Sequence, residues 1–135
     1  MNDADGPPDG VAELRTIAMP ADTNAYGDIF GGWLLAQMDL AAGSYAIQQA
    51  EGRVATVGIE AMSFHRPVYV GDQVSCYCRT VRVGRTSIAV HVETWARRRF
   101  RDAGAMVKVT EGTFTFVALN DDGTKREVPR SAVPG

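Results

Sequence analysis

Cysteine and histidine are both scarce in this sequence, with two of each in 135 residues. Cys76 and Cys78 lie two apart in a strand-like stretch, where both side chains leave the same face in parallel directions, a poor geometry for a bridge. No disulfide framework is expected, and reduced thiols in a cytoplasmic protein are the simplest reading. Two cysteines with two scattered histidines also make a poor zinc set, so no metal is expected. A positive surplus is lacking as well: 14 basic side chains face 16 acidic ones, for a net charge of -2. No overall field grips nucleic acid or anionic membrane, and any anionic ligand must be held locally. Long apolar runs are missing, and the acidic start, Met1-Asn2-Asp3-Ala4-Asp5, carries neither a basic nor an apolar segment. Neither a membrane span nor an export signal is expected.

What is present is the composition of a folded domain, with 45% hydrophobic and 22% charged residues. At this length about two-thirds of the unfolded surface can be buried, enough for a core without staples. One domain is expected over residues 11–128. Residues 1–10, with Gly6-Pro7-Pro8 and three aspartates, read as a disordered tail, and 129–135 as a flexible one.

Residues 11–19 suggest a first strand, ended by Pro20 and followed by a polar, turn-rich loop to Asp28. From Trp33 to Ala50 the residues favour a helix, with Leu34, Met38, Ala41 and Tyr45 at i, i+4, i+7 and i+11. Leu35, Leu40, Ala42, Ala46 and Ile47 widen the apolar stripe, which predicts a helix wrapped by protein on most sides. Four strands are expected near 54–62, 73–83, 86–96 and 105–119. In the third of these Ile88, Val90 and Val92 alternate with Ser87, Ala89, His91 and Glu93, the period of a strand with one buried face. Val83-Gly84-Arg85-Thr86 reads as a two-residue hairpin with glycine first, which places Arg82 opposite Ser87 and gathers Arg82, Arg85, Thr86 and Ser87 at one tip. Arg97 to Arg101 reads as a solvated turn. The fold class is α+β: an antiparallel sheet around one long central helix.

Two features of Asn24 to Asp39 carry chemistry. Gly31-Gly32 stands at the start of the helix, where backbone N–H groups lack intrahelical partners and a ligand meets no Cβ. That suits an oxyanion hole; no Gly-Lys-Ser/Thr follows to make a phosphate loop. Asp39 falls about seven residues later, roughly 10 Å along the axis and near the same side. A carboxylate in so apolar a helix needs a partner or a task, unless it bonds to neighbouring hydroxyls or emerges at the helix surface. Asp28 is a rival carboxylate, although a Gly-Asp pair before a helix suits a cap or turn.

The stretches Arg15-Thr16-Ile17-Ala18-Met19-Pro20-Ala21-Asp22-Thr23-Asn24, Gly27-Asp28-Ile29-Phe30-Gly31-Gly32-Trp33 and Gln37-Met38-Asp39, with Phe64-His65-Arg66-Pro67, Val70-Gly71-Asp72 and Val83-Gly84-Arg85-Thr86-Ser87, resemble the bacterial acyl-CoA thioesterases of the YciA-like branch of the hotdog superfamily. The resemblance covers about residues 12–129. It implies a hotdog fold, dimers whose sheets join edge to edge, commonly assembled as trimers of dimers, and hydrolysis of acyl-CoA without metal or organic cofactor. It matches the family's helix carboxylate to Asp39 and its loop asparagine to Asn24, which in such dimers approaches the aspartate of the other subunit.

A thioester has a good leaving group, so a positioned nucleophile and donors to the carbonyl oxygen are enough. Gly31 and Gly32 are the expected donors, Asp39 the general base or nucleophile, and Asn24 the group that orients water or the acyl carbonyl. CoA is an anion with a diphosphate and a ribose phosphate. Arg85 with Thr86 and Ser87 is the expected landing site, with Arg82 and Arg66 as further candidates. His65 and His91 read as loop or strand residues. The alternatives are a dehydratase or hydratase, which lacks its His-Phe-Pro-Gly stretch here, and a non-catalytic acyl-CoA sensor.

Overall fold

The computed structural model describes residues 6–100 and 102–132. Helix α1 runs over Gly31–Ala50, and the strands are β1, Leu14–Ile17, β2, Val54–Phe64, β3, Gln73–Val83, β4, Ser87–Arg97, and β5, Met106–Ala118. They form one five-stranded sheet in the order β1-β3-β4-β5-β2, antiparallel throughout. Because β2 follows α1 but pairs with β5, it is an edge strand, with its other side unpaired by any strand of the described residues.

The sheet curls over α1, which touches all five strands. Leu34, Met38, Ala42, Ala46 and Ala50 form an i+4 row that is buried together with Ala41. The four alanines let the helix axis approach the sheet closely, where Ile88, Val90, Val92, Phe114 and Phe116 complete the core. A second cluster joins Ala18, Ile29 and Leu34 to Val68, Val74, Ala96 and Val109 beneath the helix start. Shifts in register between Thr56 and Gly58 and between Glu60 and Ser63 bend β2 around the helix. Met62 then lies so close over Gly112 that any Cβ there would overlap its sulfur.

Four expectations change. The helix is not enclosed on most sides within one chain, since Leu40 is 61% and Ile47 48% exposed; the wide stripe covers the sheet with one half and leaves the other half open. The first strand is shorter than 11–19, because its ladder ends where β3 begins, at the Ile17–Gln73 pair. In the hairpin, Gly84 N–H donates to Ser87 O at 2.8 Å, so Arg85 and Thr86 are the central pair and Arg82 lies opposite Ala89. A Cβ at Gly84 would fall 2.7 Å from Ser87 Oγ, so a side chain there would have to turn that hydroxyl aside. Finally, Arg130–Ala132 of the expected C-terminal tail form a short 3-10 helix with Ala132 buried, while residues 1–5 and 133–135 of the two expected tails lie outside the described residues.

Candidate active site

Asp39 sits on the open half of α1 and is half-buried. Strand β2, running back along the helix, brings Thr56 beside it, and Thr56 Oγ1 donates to Asp39 Oδ1 at 2.8 Å. The carboxylate is thus neither immersed in the core nor free in solvent. It stands at a groove of about 470 Å³ between α1 and β2, lined further by Leu40, Gly43, Ile47, Val54 and Phe116.

Gly31 and Gly32 are the first two residues of α1, and both are exposed. Phe30 is the N-cap and offers no side-chain bond; its carbonyl takes the N–H groups of Trp33 and Leu34. The N–H groups of the two glycines precede the first intrahelical bond, which leaves them available to an oxygen atom. Neither glycine lines the Asp39 groove. Gly31 lines a separate hollow of about 340 Å³ with Ile29, Leu34, Phe64, Arg66 and Val68. Eight residues of helix separate Gly31 from Asp39, roughly 12 Å along the axis.

Asn24 holds its own loop. Its Oδ1 accepts the N–H of Tyr26 at 2.9 Å and of Asp28 at 3.2 Å, and its N–H donates to Asp28 O at 2.7 Å. With that oxygen engaged, the NH2 of Asn24 is the group left to donate, and no contact joins Asn24 to Asp39 among the described residues. Asp28 is exposed and belongs to this turn, not to the helix cap.

The expected CoA contacts divide between the two ends of the sheet. Arg85, Thr86 and Ser87 form the β3–β4 tip: Arg85 Nη1 lies 3.5 Å from Glu127 Oε1, its carbonyl accepts Val128 N–H, and Thr86 O accepts Ala118 N–H. Arg82 pairs with Glu60 at 3.5 Å. Arg66 is at the other end, beside Gly31, and donates to Lys108 O at 2.8 Å. Nine residues of β5, roughly 30 Å, separate Lys108 from Val117, which pairs with Ser87 at the tip.

Two charge clusters escaped the sequence reading. Arg98, placed in the expected solvated turn, is buried: its Nη1 is 2.6 Å from Asp72 Oδ2 and 2.9 Å from Pro67 O, and its guanidinium lies 4.8 Å from the Tyr69 ring centroid. The signal was Gly71-Asp72 after Pro67, a turn whose carboxylate accepts Tyr69 N–H at 3.0 Å and needs a cation. Arg101 lies outside the described residues. On the sheet face away from α1, Glu111 Oε1 is 3.2 Å from His91 Nε2, and Glu111 Oε2 is 3.0 Å from His65 Nε2 and 2.9 Å from Lys108 Nζ. Burial pushes the Glu111 carboxyl up, but the bonds from Lys108 and His65 and the charges of Lys108 and His91 hold it below its ordinary value. Burial, with Arg79 nearby, lowers His91 against the opposing pull of Glu111 and Glu93. The register of β4 on β5 makes this cluster, and no local spacing shows it.

Both cysteines are free. Burial pushes Cys76 up to about 11 and Cys78 up to about 12, so neither supplies a thiolate near neutrality. No group of three or more His, Cys, Asp or Glu able to hold a metal occurs among the described residues, and none of the described helices is long and apolar enough to cross a membrane.

A five-stranded antiparallel sheet curled over a single long helix is the hotdog fold, and here the helix bears one carboxylate on its open half. Residues 26–99 match the thioesterase superfamily. The YciA acyl-CoA thioester hydrolase of Salmonella typhimurium is 49% identical over 130 residues, which cover 96% of this chain and 98% of that one. Among solved structures, a hexameric broad-specificity acyl-coenzyme A thioesterase superposes with a TM-score of 0.87 at 46% identity, over 96% of this chain and 89% of that one. A hexameric thioesterase of Yersinia pestis gives 0.85 at 47% identity, over 90% and 98%. The chain belongs to the thioesterase superfamily and, within it, to the YciA-type acyl-CoA thioester hydrolases.

Proposed function

We propose that the chain hydrolyses acyl-CoA thioesters to CoA and a carboxylic acid in a site that two copies build together. One observation carries this reading: the glycine helix start and Asp39 lie on one helix but open into different hollows, so one protomer supplies two half-sites that do not meet. The exposed edge strand offers the way to join them. Val57 is 60%, Ile59 40% and Phe64 56% exposed on β2, and such an edge invites pairing with another copy. A two-fold antiparallel pairing centred on Glu60 sets Phe64 of one copy opposite Thr56 of the second. The hollow at Gly31 then faces the groove at Asp39 across the seam, and Asn24 approaches the same carboxylate.

In that site the N–H groups of Gly31 and Gly32 polarise the thioester carbonyl and stabilise the oxyanion. Asp39, held by Thr56, either takes the proton of a water that attacks the carbonyl carbon, or attacks that carbon itself to form a mixed anhydride that a water then cleaves to the free acid, with the NH2 of Asn24 orienting water or substrate. CoA thiolate departs and takes up a proton, so no metal or organic cofactor is required. Arg85, Thr86 and Ser87 receive the phosphates, with Arg82 beside them and Arg66 supplied at the seam by the other copy. The long, exposed pairs of Arg82 with Glu60 and Arg85 with Glu127 are weak, so a phosphate displaces them readily. Trimers of dimers are supported by the hexameric relatives, and a reducing cytoplasm by the two free cysteines.

The test is thiol release from acetyl-, butyryl-, hexanoyl- and palmitoyl-CoA by the wild-type protein and by Asp39→Asn. Turnover of the wild type with loss of about a thousandfold or more in Asp39→Asn is expected. Binding without release in the wild type leaves an acyl-CoA sensor, and full activity of Asp39→Asn removes the carboxylate from the chemistry.

A further inference from the structure

The groove beyond Asp39 has an order along its length. Asp39, Gly43 and Ile47 follow each other at i, i+4 and i+8 and make one row on the helix surface. The chain reverses after α1, so β2 runs back along the helix: Thr56 faces Asp39, and Val54, two residues earlier, stands toward the Ile47 end. Phe116, paired with Thr56 across the sheet, lies against the middle of the row, where a Cβ built on Gly43 would be 3.8 Å from its ring. Ser44 and Gln48 also line the groove, but both are drawn to its rim by Glu13: Ser44 Oγ donates to Glu13 Oε1 at 3.1 Å and Gln48 Nε2 donates to the same oxygen at 3.4 Å. What remains is an apolar lane that starts at the carboxylate and passes Gly43 and Phe116 to Ile47 and Val54.

Gly43 stands out in this lane. A glycine in the interior of a 20-residue helix forgoes stability relative to alanine, its φ is not in the left-handed region, and no backbone presses on it. Neither turn geometry nor close packing asks for glycine, which leaves the open space beside it as the reason.

We propose that this lane holds the acyl chain of the substrate, and that Gly43 and Ile47 set the length it accepts: Gly43 keeps the passage beside Phe116 open, and Ile47 ends it. From Asp39 to Ile47 the helix advances roughly 12 Å, room for an extended chain of about eight carbons. The inference rests on the hydrolase reading above and adds to it the direction of the chain and the residues that measure it.

The experiment compares kcat/KM for butyryl-, octanoyl- and palmitoyl-CoA in wild type, Gly43→Ala, Gly43→Leu and Ile47→Ala. Gly43→Ala lowers the octanoyl-to-butyryl ratio by about tenfold, Gly43→Leu lowers it further, and Ile47→Ala raises the palmitoyl-to-octanoyl ratio by about threefold. Gly43→Ala also raises Tm, which separates a blocked lane from a damaged fold. Ratios within twofold of wild type in all three variants, or equal loss for every chain length, overturn the length assignment while wild-type turnover leaves the hydrolase reading standing. A wild type that releases no thiol from any of the three overturns the hydrolase reading itself.

Discussion

Thr56 on β2 donates its hydroxyl to Asp39 on α1 at 2.8 Å, tying the helix carboxylate to the edge strand. The bond engages one carboxylate oxygen of a residue that lines the groove. A hydrogen bond to a charged group contributes about 1.5–3 kcal/mol. Replacing Thr56 by Val keeps the shape and removes the donor, so kcat falls about tenfold or more with little change in KM. Thr56→Ser restores most of it, because the hydroxyl returns. Steady-state kinetics of the two variants checks this: equal rates for Val and Ser mean that Thr56 only fills space.

Much of this arrangement was legible in the sequence. The alternation of Ile88, Val90 and Val92 marked β4, and the glycine pair followed by apolar residues marked α1, because strand and helix periods are local properties. Asp39 drew attention as a charge in a greasy helix, which is a statement about its neighbours in sequence. The hydroxyl that holds it was not legible, since Thr56 meets Asp39 only through the fold. Glu111 with His65 and His91 escaped for the same reason, their contact depending on the register of three separate segments. The arginine run misled because neighbouring arginines share a composition but not a direction: Arg97 ends β4 exposed, and Arg98 turns into the protein.

Arg98 and Asp72 therefore form a buried pair, 9% and 2% exposed at their side chains, which also ties down the carbonyl of Pro67. Removing one member leaves the other charged and without its counter-ion, at a cost of about 3–5 kcal/mol. Arg98→Ala and Asp72→Ala each lower Tm by about ten degrees or more, on a scale of about 4 °C per kcal/mol for a domain between 100 and 150 residues. The double variant loses less than the sum of the two. Thermal denaturation of the three proteins checks the coupling, and additive losses refute it.

Stability falls with acidification in two separate steps. Burial and Arg79 hold His91 below its ordinary value of 6.5, so the unfolded chain takes up that proton first; stability is complete above about pH 6.5 and declines as the pH drops through it. Glu111, held below 4.5 by Lys108 and His65 despite its burial, contributes above that value and its contribution is lost at lower pH. The charges facing the pair are Arg79, Glu93 and Lys108. Tm measured from pH 8 to pH 3.5 shows both steps in wild type. His91→Gln flattens the step near neutrality and Glu111→Gln flattens the acid one, whereas an unchanged profile in either variant contradicts its assignment.

The proposed shared site ties assembly to activity through β2. Ile59 is 40% exposed on a strand with one edge unpaired among the described residues, and in the proposed dimer the two half-sites meet across that edge. A charge at this position disfavours strand addition without touching Asp39, Asn24 or the glycines. Ile59→Lys therefore shifts the protein toward monomer in analytical ultracentrifugation, keeps the far-UV spectrum of the folded chain, and loses acyl-CoA turnover in proportion to the fraction dissociated. Raising the protein concentration recovers specific activity, as a shared site requires by mass action. A monomer that turns over at the wild-type rate would show that each chain carries a complete site of its own, and the division of labour between Gly31 and Asp39 across the seam would have to be abandoned.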